Sequence, residues 1–208
     1  MTNDNPSATR SGQTTNTDFA RSVDRAIVRE IADMNLRGLR AVRAATTDAA
    51  PQSLPPALES LRVAWQALDD QALAAMADAP YLLFEWRVNT ERPAGITAGW
   101  LAHAEIRRYT RILCHFAWHT SRVRLVAAPL LLGCSPADAA ALAGLDLGEL
   151  DALTERAAER VGLRWAEDVR HWERRLTAAA AADRNALWEN TLAGVQRLAG
   201  KARQTDSG

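Results

Sequence analysis

In the middle of the chain Ile106, Tyr109, Leu113, Phe116, Thr120 and Val123 recur at three- and four-residue steps, which puts them on one stripe of a helix running from about Thr97 to Val126. An earlier stretch, from about Phe19 to Ala45, repeats the pattern with Val23, Ile27, Ile31, Met34, Gly38 and Val42. Neither helix can bury its stripe alone. Each needs a second layer, and helix against helix is the simplest one. Alanine, about a fifth of the 208 residues, favours the same answer because it loses no side-chain entropy in a helix. The fold expected is all-α, a multi-helix bundle containing a helix-turn-helix element.

The remaining punctuation divides the chain. "TTDAAPQSLPP" breaks the first helix, and Pro55 and Pro56 suit the opening of the next. "ALESLRVAWQAL" and "DDQALAAMAD" read as two short helices. Short extended segments are expected near 81–87, in "PYLLFEWRV", and near 161–165, in "VGLRW". Pro129 is expected to end or kink the long helix. Two more helices fall near 166–182 and 184–200, the last with Leu187, Thr191, Val195 and Leu198 on a seam. The organisation is thus a disordered lead at 1–17, an N-terminal helical half at 18–95 with Gly95 as the joint, a C-terminal helical half at 96–200, and a disordered tail at 201–208. The order of long helix, short helices and Trp/Arg-bearing segment occurs in both halves, a weak internal repeat.

Several function classes have no support. Lys and Arg equal Asp and Glu at 25 each, so no global charge draws the chain to nucleic acid or membrane. "LVAAPLLLGC", the longest apolar run, is too short to span a bilayer. The N-terminus lacks the apolar core of a signal peptide. Cys114 and Cys134 make no disulfide framework, and a reducing cytoplasmic setting fits them. His115 and His119 have metal-ligand spacing in "CHFAWH" but no third ligand beside them, so no metal is expected. The seven Trp residues suit a core or an interface better than nucleotide stacking. No phosphate loop or nucleophile elbow is present, so neither an enzyme nor a cofactor is expected.

Residues 131–160, "LLGCSPADAAALAGLDLGELDALTERAAER", carry the most specific local signal. Ser135 can cap a helix opened by Pro136, with Asp138 completing a capping box. Ala140 is small enough for a close crossing, and Gly144 stands where a tight turn often needs positive φ. Asp146 can cap a second helix, whose Leu147, Leu150, Leu153 and Ala157 would point to the core. The spacing is that of a helix-turn-helix, but the outward face of the second helix presents Asp151, Glu155 and Glu159. Carboxylates there repel a phosphate backbone, so this face is expected to dock a basic protein surface. At 100° per residue Arg107, Arg108, Arg111, His115 and Arg122 share one sector of the long helix, with no acid interleaved. That stripe is the expected meeting place for DNA or for an acidic partner.

The run "LLLGCSPADAAALAGLDLGELDALTERA" resembles the central part of the flagellar transcriptional regulator FlhD family, in which an L-G-I-[ST/N]-E-E pattern leads into an Ala/Leu-rich helix, a turn and a second helix. "REIADMNLRGLRAVRA" is similar to that family's opening helix, and "ALDDQALAAMADAPYLLFEWR" to its later aromatic, Arg-bearing stretch. The resemblance covers residues 29–45, 68–87 and 122–165, and this chain is much longer than an ordinary member. It implies an α-helical homo-oligomer that activates transcription together with an FlhC-like protein partner, with DNA engaged by the complex. The alternative reading is a protein-binding adaptor on a helix-turn-helix scaffold with no direct DNA contact.

Overall fold

The computed structural model describes residues 11–48, 55–87 and 98–205. Helix α1 (Ser11–Asp48) leads to three short helices, α2 (Pro56–Ser60), α3 (Arg62–Gln66) and α4 (Asp70–Ala77), and then to strand β1 (Phe84–Trp86). The second half runs α5 (Ala98–Ala102), α6 (Ala104–Val123), α7 (Ala128–Leu132), α8 (Pro136–Gly144) and α9 (Leu147–Glu155). A single 3-10 turn at Ala157–Glu159 then enters strand β2 (Val161–Leu163), and α10 (Val169–Ala180) and α11 (Arg184–Thr205) close the chain. Among the described residues the fold is all-α apart from one antiparallel ribbon. The two segments expected to be extended pair with each other, Phe84 opposite Leu163 and Trp86 opposite Val161.

One core joins both halves. Helix α1 packs on α4 and α6, α6 on α8 and α9, and α10 on α4 and α11. Ile31, Met34, Leu39 and Val42 of α1 meet Ile106, Tyr109 and Leu113 of α6 in the same buried cluster. The close crossing in this fold lies at Gly38, where a Cβ would strike the rings of Phe84 and Tyr109. Asn35, fully buried, fastens α1 to the lead into β1. Its amide donates to the carbonyls of Ala77 (3.2 Å) and Tyr81 (2.9 Å), and its oxygen accepts the Leu83 N–H at 2.8 Å.

Several boundaries differ from the expectation. Helix α1 begins at Ser11 rather than near Phe19, since elongation of a formed helix adds a backbone bond per residue even over a polar stretch. At the other end α11 continues to Thr205, into the segment expected to be a tail. Residues 1–10, Gly95 and 206–208 lie outside the described residues. "ALESLRVAWQAL" is split at Leu61, whose backbone (φ −109°, ψ 13°) leaves the helix between α2 and α3. The long helix is interrupted at His103, extended at φ −72° and ψ 124°. Pro129 opens α7 instead of ending α6, because a first-turn residue has no intrahelical N–H bond to lose. Val123 closes α6 facing solvent, 63% exposed.

Candidate interaction surfaces

Helices α8 and α9 are each started by a complete capping box. The Ser135 hydroxyl accepts the Asp138 N–H at 3.0 Å, and the Asp138 carboxylate takes the Ser135 N–H (3.4 Å) and O–H (2.8 Å). Asp146 accepts the Glu149 N–H at 2.8 Å and its own N–H donates to Glu149 at 3.0 Å. Only Leu145 and Asp146 separate the two helices, both in extended conformation. The indole of Trp118 donates to the Leu145 carbonyl at 3.1 Å and so ties the turn to α6.

The packing of this element corrects three expectations. Ala140 is exposed, and the face of α8 that enters the core carries Ala139 and Leu142. In a helix with alanine on every side, the buried face is chosen by the neighbours and not by the helix. Gly144 needs no special backbone: among the described glycines only Gly133 has positive φ, and a Cβ at Gly144 would meet open space. Leu147 is 68% exposed, one turn before the buried Leu150. Leu150, Thr154 and Ala157 form the inward face, with Leu153 partly buried.

Arg107, Arg108, Arg111, His115 and Arg122 all lie exposed on α6. Arg107 is turned back onto the end of α5, donating to the carbonyls of Leu101 (3.1 Å) and Ala102. The Arg122 guanidinium lies over the Trp118 ring, 4.9 Å from its centroid. Arg111 pairs with Glu155 of α9 at 3.1 Å. The acid that the stripe lacks therefore arrives from the next layer, and the basic and acidic faces adjoin. Glu159 pairs with Arg156 at 3.1 Å, and Asp151 stays exposed. Pairs this open to solvent contribute little to stability, about 0.2–1 kcal/mol.

A second surface was not legible in the sequence. Helices α4, α10 and α11 enclose a groove of about 630 Å³ with largely alanine walls, including Ala72, Ala75, Ala179 and Ala182. Trp188 stands on its rim, 61% exposed, whereas Trp65, Trp86, Trp100 and Trp172 are fully buried.

Two buried arginines were also missed. Arg175 is fully buried and donates to Asn190 Oδ1 (2.9 Å), Thr191 Oγ1 (3.4 Å) and the Met76 carbonyl. Arg164 donates to the Phe84 carbonyl at 3.4 Å and lies over the rings of Tyr81 (5.5 Å) and Trp165 (5.8 Å). Burial brings its pKa down to about 10, so the guanidinium stays charged at neutral pH. The Phe84 carbonyl, two aromatic faces and, through space, the Glu85 carboxylate favour that charge. These groups hold the core together, and neither opens onto the α6 or α9 surface.

Burial pushes the thiols of Cys114 and Cys134 up to about 12, so neither is a thiolate nucleophile at neutral pH. His115 and His119 face solvent while Cys114 faces the core. Among the described residues no cluster of three His, Cys, Asp or Glu side chains is arranged to hold a metal ion, and no helix is long and apolar enough to cross a membrane. No family model, characterised protein or solved structure matches this chain.

Proposed function

We propose that this protein is a cytoplasmic, FlhD-like transcriptional regulator that works as an oligomer with a protein partner and meets DNA only within that assembly. The observation that carries the reading is the outer face of α6, where Arg108, Arg111, His115 and Arg122 are exposed together. The second helix of the α8–α9 element supports a complex over a lone DNA reader. Its exposed Asp151 and Glu155 would repel phosphate but suit a basic protein surface.

A purely protein-binding adaptor is the second reading, favoured by the Arg111–Glu155 pair, which already satisfies part of the stripe internally. DNA association separates the two. Binding of duplex DNA by the protein mixed with an FlhC-like partner, followed by fluorescence anisotropy over a salt series, should weaken steeply as salt rises. Changing Arg108, Arg111 and Arg122 together to Ala should reduce the slope of log K against log salt by roughly 2–3, at about 0.9 for each phosphate no longer neutralised. An unchanged slope removes α6 from the DNA interface. No DNA binding in any mixture leaves the adaptor.

A further inference from the structure

The groove between α4, α10 and α11 has two unlike walls. The α4 wall carries the exposed acids Asp69 and Asp78, and the opposite wall carries Arg184 and Trp188. Arg184 is the first residue of α11, where a cation opposes the helix dipole, and it forms no ion pair among the described residues. The turn that places it there holds Ala182 at φ 53°, a left-handed conformation unfavourable for alanine. A large indole in solvent therefore stands beside small-residue walls, with an unmatched cation and exposed acids on facing sides.

We propose that this groove is the interface of a two-fold homodimer, in which Trp188 of each copy enters the groove of the other and Arg184 faces Asp78 across the axis. A two-fold contact must be self-complementary, residue i of one copy meeting j of the other and j meeting i. The two walls satisfy that condition in charge, Asp78 on one and Arg184 on the other, which a surface built for an outside partner need not do. Alanine walls let a flat indole come close to the helix backbones, and about 630 Å³ is within the range that encloses sizeable organic groups. An aromatic anchor in a desolvated pocket, ringed by polar contacts, is the usual energetic centre of such an interface. The pairing rests on the oligomeric part of the function proposed above and specifies its surface.

Sedimentation equilibrium of the full chain over a concentration series, without DNA, tests it. The expected result is a mass approaching twice 22.7 kDa. Trp188→Ala should raise the dimer dissociation constant at least about tenfold, with an unchanged circular dichroism spectrum because that side chain is mostly in solvent. Arg184→Glu and Asp78→Arg should each weaken the dimer, and the two together should restore it. A wild-type protein that stays monomeric, a Trp188→Ala variant that keeps its dimer, or a double exchange that fails to regain mass would overturn the proposal. Mass is read without DNA or partner, so a dimer that fails to bind DNA even when mixed with an FlhC-like partner defeats the regulatory reading and leaves this pairing standing. A monomer that binds DNA in that mixture defeats this pairing and the oligomeric part of that reading but not its DNA-binding part.

Discussion

His171 lets the stability of the fold be tested through pH. It lies in the first turn of α10 with 1% of its surface exposed. Its ring meets the edges of Trp165 (4.7 Å between centroids) and Trp172 (5.6 Å). Burial and, after it, the positive charges of Arg175, Arg197 and Arg174 bring its pKa from 6.5 down to about 4, against the opposing pull of Asp168. The folded protein keeps this imidazole neutral where the unfolded chain takes up a proton. Between pH 6.5 and 4 the unfolded state therefore binds more protons, and stability falls as the pH is lowered. At 1.36 kcal/mol per pKa unit, the shift is worth about 3 kcal/mol in full below pH 4 and roughly 2 kcal/mol by pH 5. His171→Phe keeps an aromatic ring against both indoles and removes the titration, and Nε2, which has no hydrogen-bond partner, leaves no group orphaned. Urea unfolding of both proteins from pH 7.5 to 5 should show the wild type losing about 2 kcal/mol more than the variant. Comparing the two cancels the carboxylates other than Asp168, whose charge interacts with His171. A difference that stays constant over this range would refute the assignment of the burial to a neutral imidazole.

The close crossing at Gly38 and the open position at Ala140 give opposite expectations for one added side chain. Gly38→Ala should destabilise by about 1–3 kcal/mol through overpacking, and Ala140→Leu should change stability by no more than about 0.5 kcal/mol, both read from chemical denaturation midpoints. Ser135→Ala and Asp146→Ala each remove one cap and should each cost about 0.5–2 kcal/mol, measured by thermal melting.

What the sequence made legible was local. A capping box spans only one helical turn, so Ser135 with Asp138 could be read directly, as could Asp146 as the cap of the second helix. The stripe on α6 was legible because its apolar residues alternate with arginines at helical spacing. Alanine erased that contrast in α8, and the choice between Ala139 and Ala140 as the buried face was left to the packing on α6. The two extended segments could be found but not paired, since Phe84 and Leu163 are far apart in sequence and no local pattern records which strand meets which. Arg175 does have a local signal. It stands within the apolar face formed by Trp172, Leu176 and Ala179 at helical spacing, where a solvated arginine has no place. The groove has none, because its walls come from three separate helices.

Alanine-rich helices present shallow ridges, so apolar burial alone discriminates poorly between neighbouring registers of two packed helices. In this fold buried polar groups add to the discrimination given by large aromatic side chains such as Trp65 and Trp172. Asn35 must find two carbonyls and one N–H around the entry to β1. Arg175 must reach Met76 on α4 and Asn190 on α11 at once. Sliding α10 by one turn, about 5.4 Å, would carry the guanidinium beyond all of these acceptors and also pull Trp172 away from Trp65. An unpaired buried charge costs several kcal/mol, in addition to the packing lost at Trp172 and Leu176. The same anchors fix the position of α11 and therefore of Arg184 and Trp188 on the groove. An interface there inherits its geometry from buried hydrogen bonds that never reach its surface.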